Sequence, residues 1–161
     1  MEAELRKKVS LANPLHLLGL GFGSGLIPFM PGTMGSLAAV PIVIGLAYTT
    51  PLVFLCATVI AVVLGIVICD KTAKAMGVHD HGSIVWDEVA GMLITFLFIP
   101  LGATNLILGF ILFRLFDILK PWPISYIDKY IHGGFGIMLD DVIAGLMACG
   151  CLHLINLYWL V

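Results

Sequence analysis

Apolar residues run through this chain in long blocks. They show neither the strict alternation of a sheet nor the one-sided stripe of a soluble helix. Residues 52–69 and 142–161 carry no charge and are each long enough to cross a bilayer as a helix. Shorter apolar blocks cover 37–48, 89–99 and 105–113, with Pro51 and Pro100 marking the turns between blocks. The pattern predicts an all-α fold: a compact multi-pass helical membrane bundle in one domain over 1–161. Its apolar helices, about five, are expected at 37–50, 52–69, 89–101, 104–119 and 142–161. Residues 15–29 are apolar but carry Gly19, Gly21, Gly23, Gly25 and Pro28. They read as a re-entrant or interfacial segment of the mature protein, opened by a helix start at Asn13-Pro14. Six spans with the N-terminus outside is the alternative. Residues 124–139 read as interfacial.

Composition strengthens this picture. Of the 161 residues 60% are hydrophobic and 11% charged, against about a quarter charged in soluble domains. Mean hydropathy is +1.09. A net charge of -2 with no basic stripe argues against nucleic acid. Cys56, Cys69, Cys149 and Cys151 show no zinc or redox spacing and read as small buried hydrophobes.

Charge position is more telling than its amount. The basic residues fall at 6–8, 71–74, 114–120 and 129, and the turns near Pro51 and Pro100 carry no charge. With five spans, every charged cluster lands on one side, the cytoplasmic one. Among the acids are two adjacent pairs, Asp87-Glu88 and Asp140-Asp141, each read as opening an apolar helix. Asp87-Glu88-Val89-Ala90-Gly91 echoes Asp140-Asp141-Val142-Ile143-Ala144-Gly145. In both, an acid stands four residues before a glycine on the same helix face. Small residues let helices approach closely, so packing the two faces together would gather the carboxylates. Each pair alone also fits a simple helix-dipole contact. Gathered carboxylates repel unless a cation joins them, and hard oxygen donors suit Mg²⁺.

Three other groups accompany the acids. Arg114-x-x-Asp117-x-x-Lys120 places its members near one helix face. Arg114 and Lys120 suit a phosphate, while Asp117 suits a metal or the orientation of Arg114. Gly32-Thr33-Met34-Gly35-Ser36 resembles a small anion-binding loop opening a helix, with Thr33 and Ser36 as hydroxyl donors. It is also readable as a turn with a cap at Ser36. His79-Asp80-His81 offers a general acid or base near neutral pH, or a polar loop with no chemistry. His132, beside Gly133-Gly134, is a weaker candidate of the same kind, and His16 and His153 read as packing or interfacial residues.

These strings together resemble the phosphatidylglycerophosphatase A family of bacterial inner-membrane lipid phosphatases. The matching residues include Asn13-Pro14, Gly21-Phe22-Gly23-Ser24-Gly25, Pro31-Gly32-Thr33-Met34-Gly35-Ser36, the string from Met76 to Glu88, Phe113-Arg114, Asp117, Lys120-Pro121-Trp122-Pro123-Ile124 and Asp140-Asp141. The resemblance implies an all-α fold. It also implies hydrolysis of phosphatidylglycerophosphate to phosphatidylglycerol and phosphate, with Mg²⁺. The site assignment rests on the residues themselves. Asp87, Glu88, Asp117, Asp140 and Asp141 are expected to hold the metal, with Asp87 and Asp141 essential. Arg114, Lys120, Thr33 and Ser36 are expected on the phosphate, and His79 or His81 as proton donor to the leaving group. The rival reading is a small membrane cation transporter or channel, which needs acids along a path through the bilayer. The oligomeric state is left open.

Overall fold

The computed structural model describes residues 3–78 and 81–159. Among them it is all helical, without strands. Two short helices, α1 (Ala3–Lys8) and α2 (Pro14–Gly19), lead into a 3-10 turn at Gly21–Leu26. The main helices follow: α3 (Pro31–Ala47), α4 (Pro51–Met76), α5 (Trp86–Thr95), α6 (Ala103–Leu119), α7 (Ile124–Tyr130) and α8 (Gly133–Trp159).

The helix starts follow from local chemistry. The Asn13 side chain accepts from the Leu15 N–H at 3.0 Å with Pro14 in the first turn, and Thr50 caps α4 in the same way ahead of Pro51. Gly77, with φ of 73°, closes α4 in the left-handed conformation that glycine adopts without a Cβ penalty.

Two helices, α4 and α8, are long and apolar enough to cross a membrane. The expected helices at 37–50 and 104–119 have counterparts in α3 and α6, each of 17 residues. The expected span at 89–101 does not form as such. α5 has ten residues, about 15 Å at 1.5 Å per residue, half the hydrocarbon thickness of about 30 Å. Residues 15–29 fold into α2 and the 3-10 turn, pieces too short to cross.

α5 is the central peg. Beyond its acidic first turn, with Asp87 and Glu88, it is largely apolar, as a helix surrounded by protein must be. From Glu88 to Thr95 every residue is buried, against α8, α3, α4 and α6. One apolar cluster, with Phe113, Met92, Leu152 and Val43, fills the space between α3, α5, α6 and α8. A second, around Leu20, Met76, Ile84 and Met138, joins the N-terminal pieces to α4 and α8. The outward faces of α4 and α6 stay apolar and exposed, at Ile60, Val63, Ile107 and Ile111 among others. Cys69 is buried as expected, whereas Cys56 lies on that exposed face of α4.

The interfacial stretch expected at 124–139 instead divides into α7 and the first two turns of α8. Asp140-Asp141 therefore sits inside α8, well past its start at Gly133. The reason is close packing. A Cβ on Gly134 would lie 2.1 Å from the Ile66 carbonyl oxygen, so the early glycines let α8 run directly against α4.

Candidate metal centre and active site

The acids meet where α5 crosses α8. A Cβ on Gly145 would lie 2.6 Å from the Gly91 carbonyl oxygen, and one on Gly91 would lie 3.0 Å from the Asp141 carbonyl oxygen. The two backbones touch at the glycines, and the acids one turn earlier on each helix are thereby drawn together. One oxygen from each of Asp87, Glu88 and Asp141 lies within 4.8 Å of the others.

Glu88 and Asp141 are buried, and neither Glu88 Oε2 nor Asp141 Oδ2 has a hydrogen-bond partner. Buried polar atoms are normally paired. Burial, and then the Asp141 charge, push the Glu88 carboxyl up to about 8. Converging hard oxygens, some of them orphaned, fit a divalent cation of the magnesium type.

Arg114 faces this cluster from α6. Its Nη1 pairs with Asp117 at 2.5 Å, lies 3.9 Å from Glu88 Oε1 and donates to Ser36 Oγ at 3.4 Å. Its Nε is buried without a partner. Asp117 thus holds the guanidinium in place, one turn along its own helix, and also reaches Asp141 at the edge of the trio. Ser36 is inside α3 rather than at its cap, and its hydroxyl donates to the Gly32 carbonyl at 3.0 Å. Thr33 is half-buried in the first turn of the same helix.

Lys120 and Asp140 are placed differently from expectation. Lys120 terminates α6 with φ of 42°, so its side chain leaves the face that carries Arg114 and Asp117. Its Nζ donates to Asp128 and, at 2.7 Å, to Asp140. Burial opposes its charge, but the two carboxylates win and raise its pKa. Asp140 is occupied by this ion pair, which ties the end of α6 to α7 and α8. The expected set of metal-binding acids thus divides into a converging trio and two acids paired with bases.

His79 lies outside the described residues. His81 Nδ1 accepts from the Ser83 N–H at 3.1 Å. A neutral imidazole with that nitrogen accepting carries its proton on Nε2.

Two features escaped the sequence reading. Gly32 is one: a Cβ there would lie 2.4 Å from Glu88 Oε1 and 3.2 Å from the Arg114 guanidinium. The other is the seat of Val85, just before the acids. Cβ atoms on Gly21 and Gly35 would each lie 2.6 Å from its side chain, and its N–H donates to the Gly19 carbonyl at 2.9 Å. Trp86 adds a bond from its indole N–H to the Ala61 carbonyl of α4 at 3.0 Å. The glycine density of residues 19–35 was the visible signal. It marks a socket that fixes the chain entering α5.

The family model described as Phosphatidylglycerophosphatase A matches residues 17–156. The chain is 45% identical over 155 residues to phosphatidylglycerophosphatase A of Escherichia coli, covering 96% of this chain and 90% of that protein. It is 51% identical over 156 residues to phosphatidylglycerophosphatase A of Haemophilus influenzae, covering 96% and 95%. No solved structure matches the chain.

Proposed function

The chain belongs to the phosphatidylglycerophosphatase A family, and from that premise we propose that it hydrolyses phosphatidylglycerophosphate to phosphatidylglycerol and inorganic phosphate, with Mg²⁺ held by Asp87, Glu88 and Asp141. The protein is an enzyme of phospholipid biosynthesis. Its place in this reading is the bacterial cytoplasmic membrane, multi-pass, with the site facing the cytoplasm. The observation that carries the reading is the convergence of Asp87, Glu88 and Asp141 beside Arg114, with Glu88 Oε2 and Asp141 Oδ2 buried and orphaned.

Each residue has a separable task. Arg114, oriented by Asp117, binds the oxygens of the terminal phosphate. Ser36, whose hydroxyl proton goes to the Gly32 carbonyl, supports Arg114 by accepting from it, and Thr33, in the first turn of α3, offers a hydroxyl to the phosphate. The bound cation supplies neutralisation of phosphate charge and a more acidic water. His81, with its proton on Nε2, or His79 protonates the glycerol oxygen as it leaves. Lys120 acts by fixing Asp140, and through it the α6–α8 junction.

A cation channel fits less well. A mostly buried arginine 3.9 Å from a cluster carboxylate would oppose a passing cation, whereas it favours a phosphate. The deciding measurement is phosphate release from purified protein and phosphatidylglycerophosphate, with Mg²⁺ and with chelator. Release that needs the metal is expected. No release under any condition, with cation flux in vesicles instead, would establish the rival.

A further inference from the structure

We propose that the cleft between α3 and α6 seats one acyl chain of the lipid whose phosphate is held at Arg114. The proposal rests on the phosphatase reading and extends it to the tail of the substrate. Leu37 and Val40 of α3 face Leu106, Ile107, Phe110 and Ile111 of α6 across a hollow of about 230 Å³. Phe110 and Ile111 also line a second hollow of about 280 Å³, shared with Arg114, Leu115 and Ile118. The two hollows are neighbours along α6 and share Phe110 and Ile111 as lining. Both linings are apolar, with Arg114 the charged residue among them.

Arg114 is where the groove meets the site, since the same side chain donates to Ser36, next to Leu37, and lies 3.9 Å from Glu88. From Arg114 to Leu106 is eight helical residues, about 12 Å at 1.5 Å per residue. That is close to the depth of one leaflet of hydrocarbon, half of about 30 Å. A phospholipid offers an anion and an apolar tail at this spacing. A second apolar helix would instead press hydrocarbon against a guanidinium that is 14% exposed. Two other hollows, at Leu46 with Phe98 and at Gly150 with Leu157, meet none of the site residues.

The test compares palmitoyl and butyryl forms of phosphatidylglycerophosphate with the full-length protein in mixed micelles. Ile111→Trp fills the groove from an exposed position, 53% accessible, so the core is untouched. It should raise KM for the palmitoyl substrate by about tenfold, equivalent to losing the burial of about two methylenes. The butyryl substrate should change by less than about twofold on the same scale. Val63→Trp, on the exposed face of α4, should change neither. Unmodified protein should also crosslink to a lipid with a diazirine in its acyl chain at residues of the 37–40 and 106–111 segments. An unaltered chain-length dependence in Ile111→Trp, or labelling spread over α4 and α8, would overturn the cleft while leaving the phosphatase reading standing. A wild type that releases phosphate from neither substrate would remove the phosphatase reading and the cleft together.

Discussion

Asp141 sits in the middle of α8, where neither helix end helps its charge, and is buried against two other carboxylates. Its cost to the metal-free protein is repulsion, and the role proposed for it is ligation. Asp141→Asn is therefore expected to raise the melting temperature measured in chelator. The same change should cut phosphate release by at least roughly 100-fold, the upper range for losing an outer partner of a metal ligand. Glu88 makes a prediction about pH. Its folded pKa of about 8 stands above the ordinary 4.5, so between these values the folded state keeps a proton that the unfolded state has lost. Metal-free stability should fall as pH rises through that window and flatten above it. Mg²⁺ needs the ionised carboxylate, so its stabilising effect should grow over the same window. Thermal melts across pH, with chelator and with Mg²⁺, check both slopes, and Glu88→Gln should make the first shallower, leaving the share of the other buried carboxylates. At this scale the sequence showed the chemistry of Arg114 and the acids. It did not show which acids are taken by bases, because Lys120 leaves its helix face only through the left-handed turn that ends α6.

The glycines of α5 and α8 decide whether the acids meet. Gly145→Ala puts a methyl group where the Gly91 carbonyl oxygen stands 2.6 Å away. The helices must separate, at a cost of about 1–3 kcal/mol for an overpacked contact, and activity should fall with stability. Gly150→Ala on the same helix meets nothing within 4 Å, so it should gain up to about 1 kcal/mol from helix propensity alone. Denaturant melts and phosphate release on the pair separate packing from propensity. The i to i+4 spacing of acid and glycine made this crossing legible in the chain. The start of α8 was not legible, because Gly133 and Gly134 look like a turn until α4 is seen to need the small size of Gly134.

Across the whole molecule, a cation held by the trio as proposed would couple folding to its ligand. A cation that binds the folded state alone stabilises by about 2.7 kcal/mol at a concentration 100 times its Kd. Mg²⁺ should raise the melting temperature, chelator should reverse the rise, and Asp141→Asn should abolish it. A wild-type melting temperature indifferent to Mg²⁺ at every pH would remove the metal from the site.

Local chemistry settled much in advance. Apolar blocks without alternation allow only helices, prolines and caps set where several of them start, and the scarcity of charge makes each acid conspicuous. What the chain order left undecided is which polar groups share a space. α5 is short and buried on all sides, and the glycine socket around Val85 aims it. Asp87 and Glu88 meet Asp141, while Asp140 turns to Lys120, only when α5, α6 and α8 are packed together. Repulsion, pairing and ligation act over a few ångströms in space, and sequence separation does not measure that distance.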